Sequence, residues 1–162
     1  MNSIQEIAKN NAARFDVPVT WVLAIIQTES SFNPNAMNPR DPSYGLMGIK
    51  LSTAREIEPA ITAQELMQPA KNIEIGTIYL RKLRGQYGDL EDVFAAYKGG
   101  HPWAASSDQA KENVTKAIVA ERQWALKLGL PQYAGAAPAS GGFIKKYWPL
   151  LAVAGLVALI RE

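Results

Sequence analysis

Pro18-Val19-Thr20-Trp21-Val22-Leu23-Ala24-Ile25-Ile26-Gln27-Thr28-Glu29-Ser30 is the stretch on which the fold class turns. Its apolar side chains cover nearly the whole circumference of a helix that Pro18 opens, and such a helix belongs at the centre of a core. The segments around it keep the helical period. Ser3-Ile4-Gln5-Glu6 matches a capping box, and Ile4, Ile7, Ala8, Asn11, Ala12 and Phe15 form a stripe that stops before Asp16-Val17-Pro18. Downstream, helical pieces are predicted near Ser52 to Glu58 and from a second capping box, Thr62-Ala63-Gln64-Glu65. A longer helix should run from about Pro69 to Arg84 with Ile73, Gly76, Leu80 and Leu83 inward. Asp89 caps a further predicted helix that stops at Gly99-Gly100, and the last runs from about Asp108 to Leu128 before Gly129 and Pro131. No segment sustains period-two alternation, so the fold class is all-α.

The chain has 162 residues, 17 Lys+Arg against 15 Asp+Glu and a formal charge of +2, with 48% hydrophobic and 20% charged residues. These are globular values, and they exclude a disordered or collagen-like chain. The charges are scattered, which gives no case for nucleic-acid-specific binding. With no cysteine and His101 as its one histidine, the chain lacks the residues for a thiolate or multi-histidine metal site and for a Cys nucleophile. No metal and no organic cofactor is predicted.

Three units follow in order: a helical domain over residues 1–132, a Gly/Ala/Pro/Ser spacer over 133–142, and an apolar helix over 143–162. Within the first, Asn33 to Pro42 carries three prolines and three asparagines, the marks of an ordered loop with several turns. The first residues include Glu6 and lack an apolar core with a small-residue cleavage site, so no secretory signal is read there.

The chemistry begins with Glu29. Val22, Ile25, Ile26 and Glu29 stand at i, i+3, i+4 and i+7, so the carboxylate shares a face with three large aliphatic side chains. Desolvation there favours the protonated carboxyl that a general acid requires, whereas a position in the last turn also lets the side chain swing into solvent. Both placements are open to it from the stripe alone.

Four ordered motifs surround that residue: Glu29-Ser30-Ser31-Phe32-Asn33-Pro34-Asn35-Ala36; Tyr44-Gly45-Leu46-Met47-Gly48-Ile49 with Ser52-Thr53-Ala54; Asn72-Ile73 with Gly76 and Tyr79-Leu80; and Ala95-Ala96-Tyr97-Lys98-Gly99-Gly100. Over about residues 4 to 130 they resemble the lytic transglycosylase family with the soluble-type, goose-lysozyme-like catalytic domain. The resemblance implies a lysozyme-like helical domain that cleaves the β-1,4 bond between N-acetylmuramic acid and N-acetylglucosamine in peptidoglycan, leaving a 1,6-anhydro end. It implies Glu29 as acid and then base. Glu29 would protonate the departing oxygen and then take the proton of the sugar's own C6 hydroxyl, so that no second carboxylate is needed. Asp41 is the nearest loop carboxylate, and its flanking prolines fit a turn role as well.

By the same resemblance Ser30, Ser31, Asn38, Ser43, Tyr44, Met47, Gly48, Tyr97 and Lys98 are the saccharide-contacting candidates, with Gly45 allowing close backbone approach. Met47 could equally be ordinary packing, and Tyr97 a core aromatic. Three positions depart from the family pattern: Gly48 stands where Gln is usual, Lys98 where Asn is usual, and Asn38 where a groove serine is frequent. Lys98 is either a cation for a carboxylate of the wall or a solvated charge. His101 reads as a surface residue, and Trp103 as either a sugar platform or packing.

Tyr147 to Ile160 is an uncharged run of fourteen residues, about 21 Å as a helix against a hydrocarbon core of about 30 Å. Lys145, Lys146, Tyr147, Trp148 and Arg161 flank it with headgroup-anchoring types, so residues 143–162 are expected to contact the bacterial inner membrane, or a partner helix through self-assembly. Positive residues ahead of the run favour the cytoplasm, which sets the domain on the side without peptidoglycan. Packaging in a phage virion with delivery to the host envelope resolves this, beside other ejection proteins; a plasmid transfer system is the rival setting. Two alternatives to the enzyme stay open: a membrane or ejection-channel subunit with a weak or inactive wall-binding domain, and a water-using muramidase.

Overall fold

In the computed structural model, which describes residues 3–130, helix α2 (Val19–Ser30) is buried along seven consecutive residues from Thr20 to Ile26. An all-round apolar helix has no face to give to water, so other helices must enclose it. Helices α1 (Ser3–Arg14), α5 (Pro69–Tyr87), α6 (Leu90–Gly99) and α7 (Asp108–Leu128) do so. Neighbours in that order pack on one another, and α1, α5 and α7 each pack on α2. Trp21 of α2 meets Phe94 of α6 edge to face, with ring centroids 5.8 Å apart. Each fully buried aliphatic side chain on α2 contributes about 1.5–3 kcal/mol. A polar link through this core joins Thr20, whose hydroxyl donates to Glu121 of α7 at 2.8 Å.

The predicted helices are found within a few residues of their expected ends. Pro18 stands at the N-cap of α2, and Gly100 and Gly129 end α6 and α7 with φ of 74° and 62°. The Thr62 box closes in both directions around the short helix α4 (Ala63–Leu66), after α3 (Leu51–Arg55). At α6 the cap differs from expectation. Asp89 occupies the N-cap, yet its exposed side chain makes no cap hydrogen bond; Glu91 and Asp92 put negative charge in the first turn instead. At α7 the cap is Ser107, whose oxygen accepts the Ala110 N–H at 3.2 Å.

Between α2 and α3 lies a three-stranded antiparallel meander of β1 (Met37–Asn38), β2 (Ser43–Tyr44) and β3 (Ile49–Lys50), paired Met37 to Tyr44 and Tyr44 to Ile49. Two-residue strands are too short for alternation to show in a sequence. A single 3-10 turn, Trp103–Ala105, joins α6 to α7. The spacer predicted for 133–142 and the apolar helix predicted for 143–162 lie outside the described residues. Among the described residues no helix is long and apolar enough to cross a membrane.

Candidate active site

Glu29 sits in the last turn of α2. Val22, Ile25 and Ile26 below it are fully buried, while the Glu29 side chain keeps 24% of its surface exposed. The chain then turns sharply, because Ser31 and Phe32 both take left-handed conformations with φ of 52° and 64°. Each such residue costs about 1–2 kcal/mol without a glycine. Packing holds the turn: the Phe32 ring lies 5.7 Å from that of Trp124, whose Nε1 donates to Gln27 at 2.8 Å. Glu29 is therefore carried by backbone that is tied to the core on both sides.

A cleft of about 500 Å³ opens over this helix end. Of the residues expected to contact saccharide, it collects Asn38, Ser43, Gly48, Tyr97 and Lys98 beside Glu29. The other four face elsewhere. Ser30 turns its hydroxyl back to the Ile26 carbonyl at 2.9 Å, because a serine in the last turn reaches its own helix most easily. Ser31 is the exposed C-cap of α2. Met47 is wholly buried against Gly76, where a Cβ would come within 2.5 Å of its sulfur, so its side chain is packing. Tyr44 packs half-buried on the core. Tyr79, Thr53, Asp41 and Lys50 also line the cleft, and of these only Thr53 and Tyr79 lay within the sequence motifs. Asp41 pairs with Lys50 at 2.7 Å across the meander, both well exposed. His101 is exposed, and Trp103 packs on the core with its backbone N–H donated to Asp92 at 2.8 Å.

Lys98 donates to Glu29 Oε1, with its own side chain only 11% exposed. The apolar stripe left Glu29 either desolvated or swung into solvent; the fold places an ammonium on it from 69 residues away. Lys98 is thus no solvated charge. Gly48, with φ of +59°, approaches the other oxygen: a Cβ there would lie 2.9 Å from Glu29 Oε2. Two of the positions that depart from the expected motifs therefore meet at one carboxylate.

The Tyr97 hydroxyl donates to the Met47 carbonyl at 2.8 Å, and its ring lies 5.4 Å from Tyr79. Burial first, then the Glu29 carboxylate and the Tyr79 phenol, push the Tyr97 phenol well above the usual tyrosine range, so it stays a donor. Removing that donor in Tyr97→Phe leaves a carbonyl short of one partner. A loss of about 1 kcal/mol is expected in urea unfolding, and no change at all would detach Tyr97 from the meander.

The turn from Tyr44 to Met47 is pinned by Asn72, which is fully buried on α5. Its Oδ1 accepts the Met47 N–H at 2.7 Å, and its Nδ2 donates to the Tyr44 and Leu66 carbonyls at 2.7 and 2.8 Å. Gly45 makes this approach possible, since a Cβ there would lie 2.5 Å from Nδ2.

The family model of the transglycosylase SLT domain matches residues 6–119. The chain belongs to this SLT family. Membrane-bound lytic murein transglycosylase C from Yersinia pestis is 34% identical to it over 109 residues, or 58% of this chain and 30% of that protein. The Yersinia pseudotuberculosis protein of the same name matches equally. The SLT chain thus spans about 30% of the length of these curated relatives. Among solved structures, the 70 kDa soluble lytic transglycosylase of Escherichia coli matches with a TM-score of 0.72 at 22% identity, over 84% of this chain and 26% of that one. Lytic transglycosylase Slt from Pseudomonas aeruginosa, as an inactive glutamate-to-glutamine mutant, matches with a TM-score of 0.69 at 22% identity, over 78% and 24%. The lysozyme-like helical SLT fold expected from the motifs is the fold that the described residues adopt.

Proposed function

We propose that this SLT chain is a peptidoglycan lytic transglycosylase in which Glu29 is both acid and base. Glu29 protonates the glycosidic oxygen leaving N-acetylmuramic acid, charge spreads over an oxocarbenium-like centre, and the same carboxylate accepts the C6 hydroxyl proton as that oxygen closes the 1,6-anhydro ring. One observation carries the reading: Glu29 stands on the cleft wall at the edge of the core with its side chain 24% exposed, while Asp41, the other described carboxylate lining that cleft, is 62% exposed. Asn38, Ser43 and the Tyr97 ring are the saccharide contacts. The names of the Yersinia, Escherichia and Pseudomonas relatives support the substrate, and the inactive Pseudomonas variant, with glutamine for a glutamate, supports a carboxyl acid.

Mass spectrometry of fragments released from purified peptidoglycan at neutral pH tests this. Anhydromuropeptides are expected. Ordinary reducing ends would make the protein a water-using muramidase. The Lys98 contact on Glu29 favours a second reading, a wall-binding subunit of a membrane or ejection channel with weak turnover. Folded protein that sediments with the wall and releases nothing would establish that one.

The setting is a phage virion delivered to the host envelope, with residues 143–162 at the inner membrane. Lys145 and Lys146 ahead of the apolar run support it, because a spanning tail of that polarity holds the domain on the cytoplasmic face unless the chain arrives from outside. Immunoblots of purified particles should contain the chain; its confinement to host cytosol would sink the idea.

Gly48→Ala tests the packing around the acid. The added Cβ collides with Glu29 Oε2 at a left-handed φ, so either the meander or the carboxylate must shift. Activity should fall roughly 100-fold, as a misplacement of about 1 Å does. Full activity in Gly48→Ala would mean that the carboxylate is not held where it works.

A further inference from the structure

A second pocket, of about 340 Å³, is lined by Thr28, Glu29, Lys98, Asn113 and Lys116. The paired side chains line the catalytic cleft as well, so the two spaces share them. Among the described residues Lys116 pairs with Glu112, one turn away on α7 at 3.2 Å, in a pair that is about half exposed and correspondingly weak. The Thr28 hydroxyl is already engaged by the Ala24 carbonyl at 3.0 Å. The pocket therefore offers two ammonium groups and a side-chain amide, and its single carboxylate is already bound to Lys98. Its charge and donors fit a carboxylate from outside.

We propose that this pocket binds a carboxylate of the substrate, carried by the lactyl ether of muramic acid or by the peptide on it, and that this anion draws Lys98 away from Glu29. The inference rests on the proposed reading of Glu29 as the acid. A carboxylate bound to an ammonium is the ionised form and has no proton to deliver. When the substrate anion takes its place on Lys98, Glu29 takes up a proton from solvent, so that Glu29, Lys98 and Lys116, which carry one positive charge in excess before binding, still carry one together with the bound anion after it. The other charged or titratable groups near the pair leave that exchange to Lys98. Tyr97 on α6 remains a neutral phenol, Lys116 on α7 shares Glu112, and Asp41 and Lys50 of the meander neutralise one another. Lys98 is accordingly a positioning residue that couples recognition of an anion to the state of the acid.

The test uses the full chain and tetrasaccharides of two repeats in four forms: with free peptide carboxylates, with those carboxylates methyl-esterified, without peptide but with free lactyl carboxylates, and without peptide with the lactyl groups esterified. At neutral pH the wild type should turn over at least one free-acid form roughly tenfold faster than its ester, the scale of one charged hydrogen bond. Which pair shows the difference tells the lactyl source from the peptide source. Lys98→Met should cleave acid and ester at equal kcat. Lys116→Met, on the exposed side of α7, should lose the preference through KM. Equal rates for both pairs in the wild type, or a preference that survives both substitutions, would overturn the proposal. Calorimetric binding separates this from failure of the enzyme reading. Without any cleavage, tighter binding of a free acid that Lys116→Met abolishes still supports the subsite, whereas equal binding of acid and ester removes it.

Discussion

Glu29→Gln is expected to lower release of peptidoglycan fragments by roughly 10²–10⁴-fold, the range over which a positioned general acid acts. Glutamine matches the carboxylate in size and can still accept from Lys98, so the end of α2 and its left-handed turn should be undisturbed. It has no proton to give to the departing oxygen and no basic form to take one from the C6 hydroxyl. Both halves of the proposed reaction fail together. Activity measured beside a thermal melt separates chemistry from folding: an unchanged melting temperature with lost release places the acid at Glu29. Release within a few-fold of wild type from a folded Glu29→Gln protein would move the acid elsewhere, and Asp41 would then be substituted next.

Asn72→Leu should produce the largest loss of stability. Asn72 is wholly buried, and its amide holds one backbone N–H and two carbonyls at 2.7 to 2.8 Å. Leucine fills a similar volume without a donor or an acceptor. The three backbone groups are then left in a dry site at about 1–3 kcal/mol each, before relaxation. A loss of about 3–5 kcal/mol in urea unfolding is expected, a large part of the roughly 5–15 kcal/mol typical of a domain. The Tyr44 to Met47 turn loses its anchor, Gly48 moves off Glu29, and release should fall as well. Arg14→Ala is the contrast. Its ion pair with Glu74 at 2.9 Å is largely exposed on the arginine side, and less than about 1 kcal/mol should be lost. An Asn72→Leu protein within about 1 kcal/mol of wild type would mean that the turn is held by something other than this amide.

The helices were legible because their signals are local. The all-round apolar run at α2, the reciprocal Thr62 and Glu65 cap and the glycines after α6 and α7 act over three or four residues, the reach of a helical turn. The meander was not legible, since its two-residue strands are set by pairing across a loop of prolines and asparagines. In the same way, motif order brought out Glu29, Asn38, Ser43, Gly48, Tyr97 and Lys98, which the cleft brings together. It also brought out Met47 and Ser30, whose side chains pack or turn back. Lys50 had no local signal; it enters the cleft because the pairing of β2 with β3 sets it opposite Ser43.

From the residues alone came the helical class, the position of Glu29 on the apolar helix and its place among four ordered motifs, because periodicity and capping are properties of neighbouring residues. The partner of that carboxylate could not be read there. Lys98 meets Glu29, Asn72 meets Tyr44 and Met47, and Lys116 shares a pocket with both members of the pair through the packing of α2, α5, α6 and α7. Contacts between residues 25 to 97 positions apart depend on how helices cross and which way each side chain is turned. No spacing in the chain encodes these, since they are decided by volumes that fit together in the folded core.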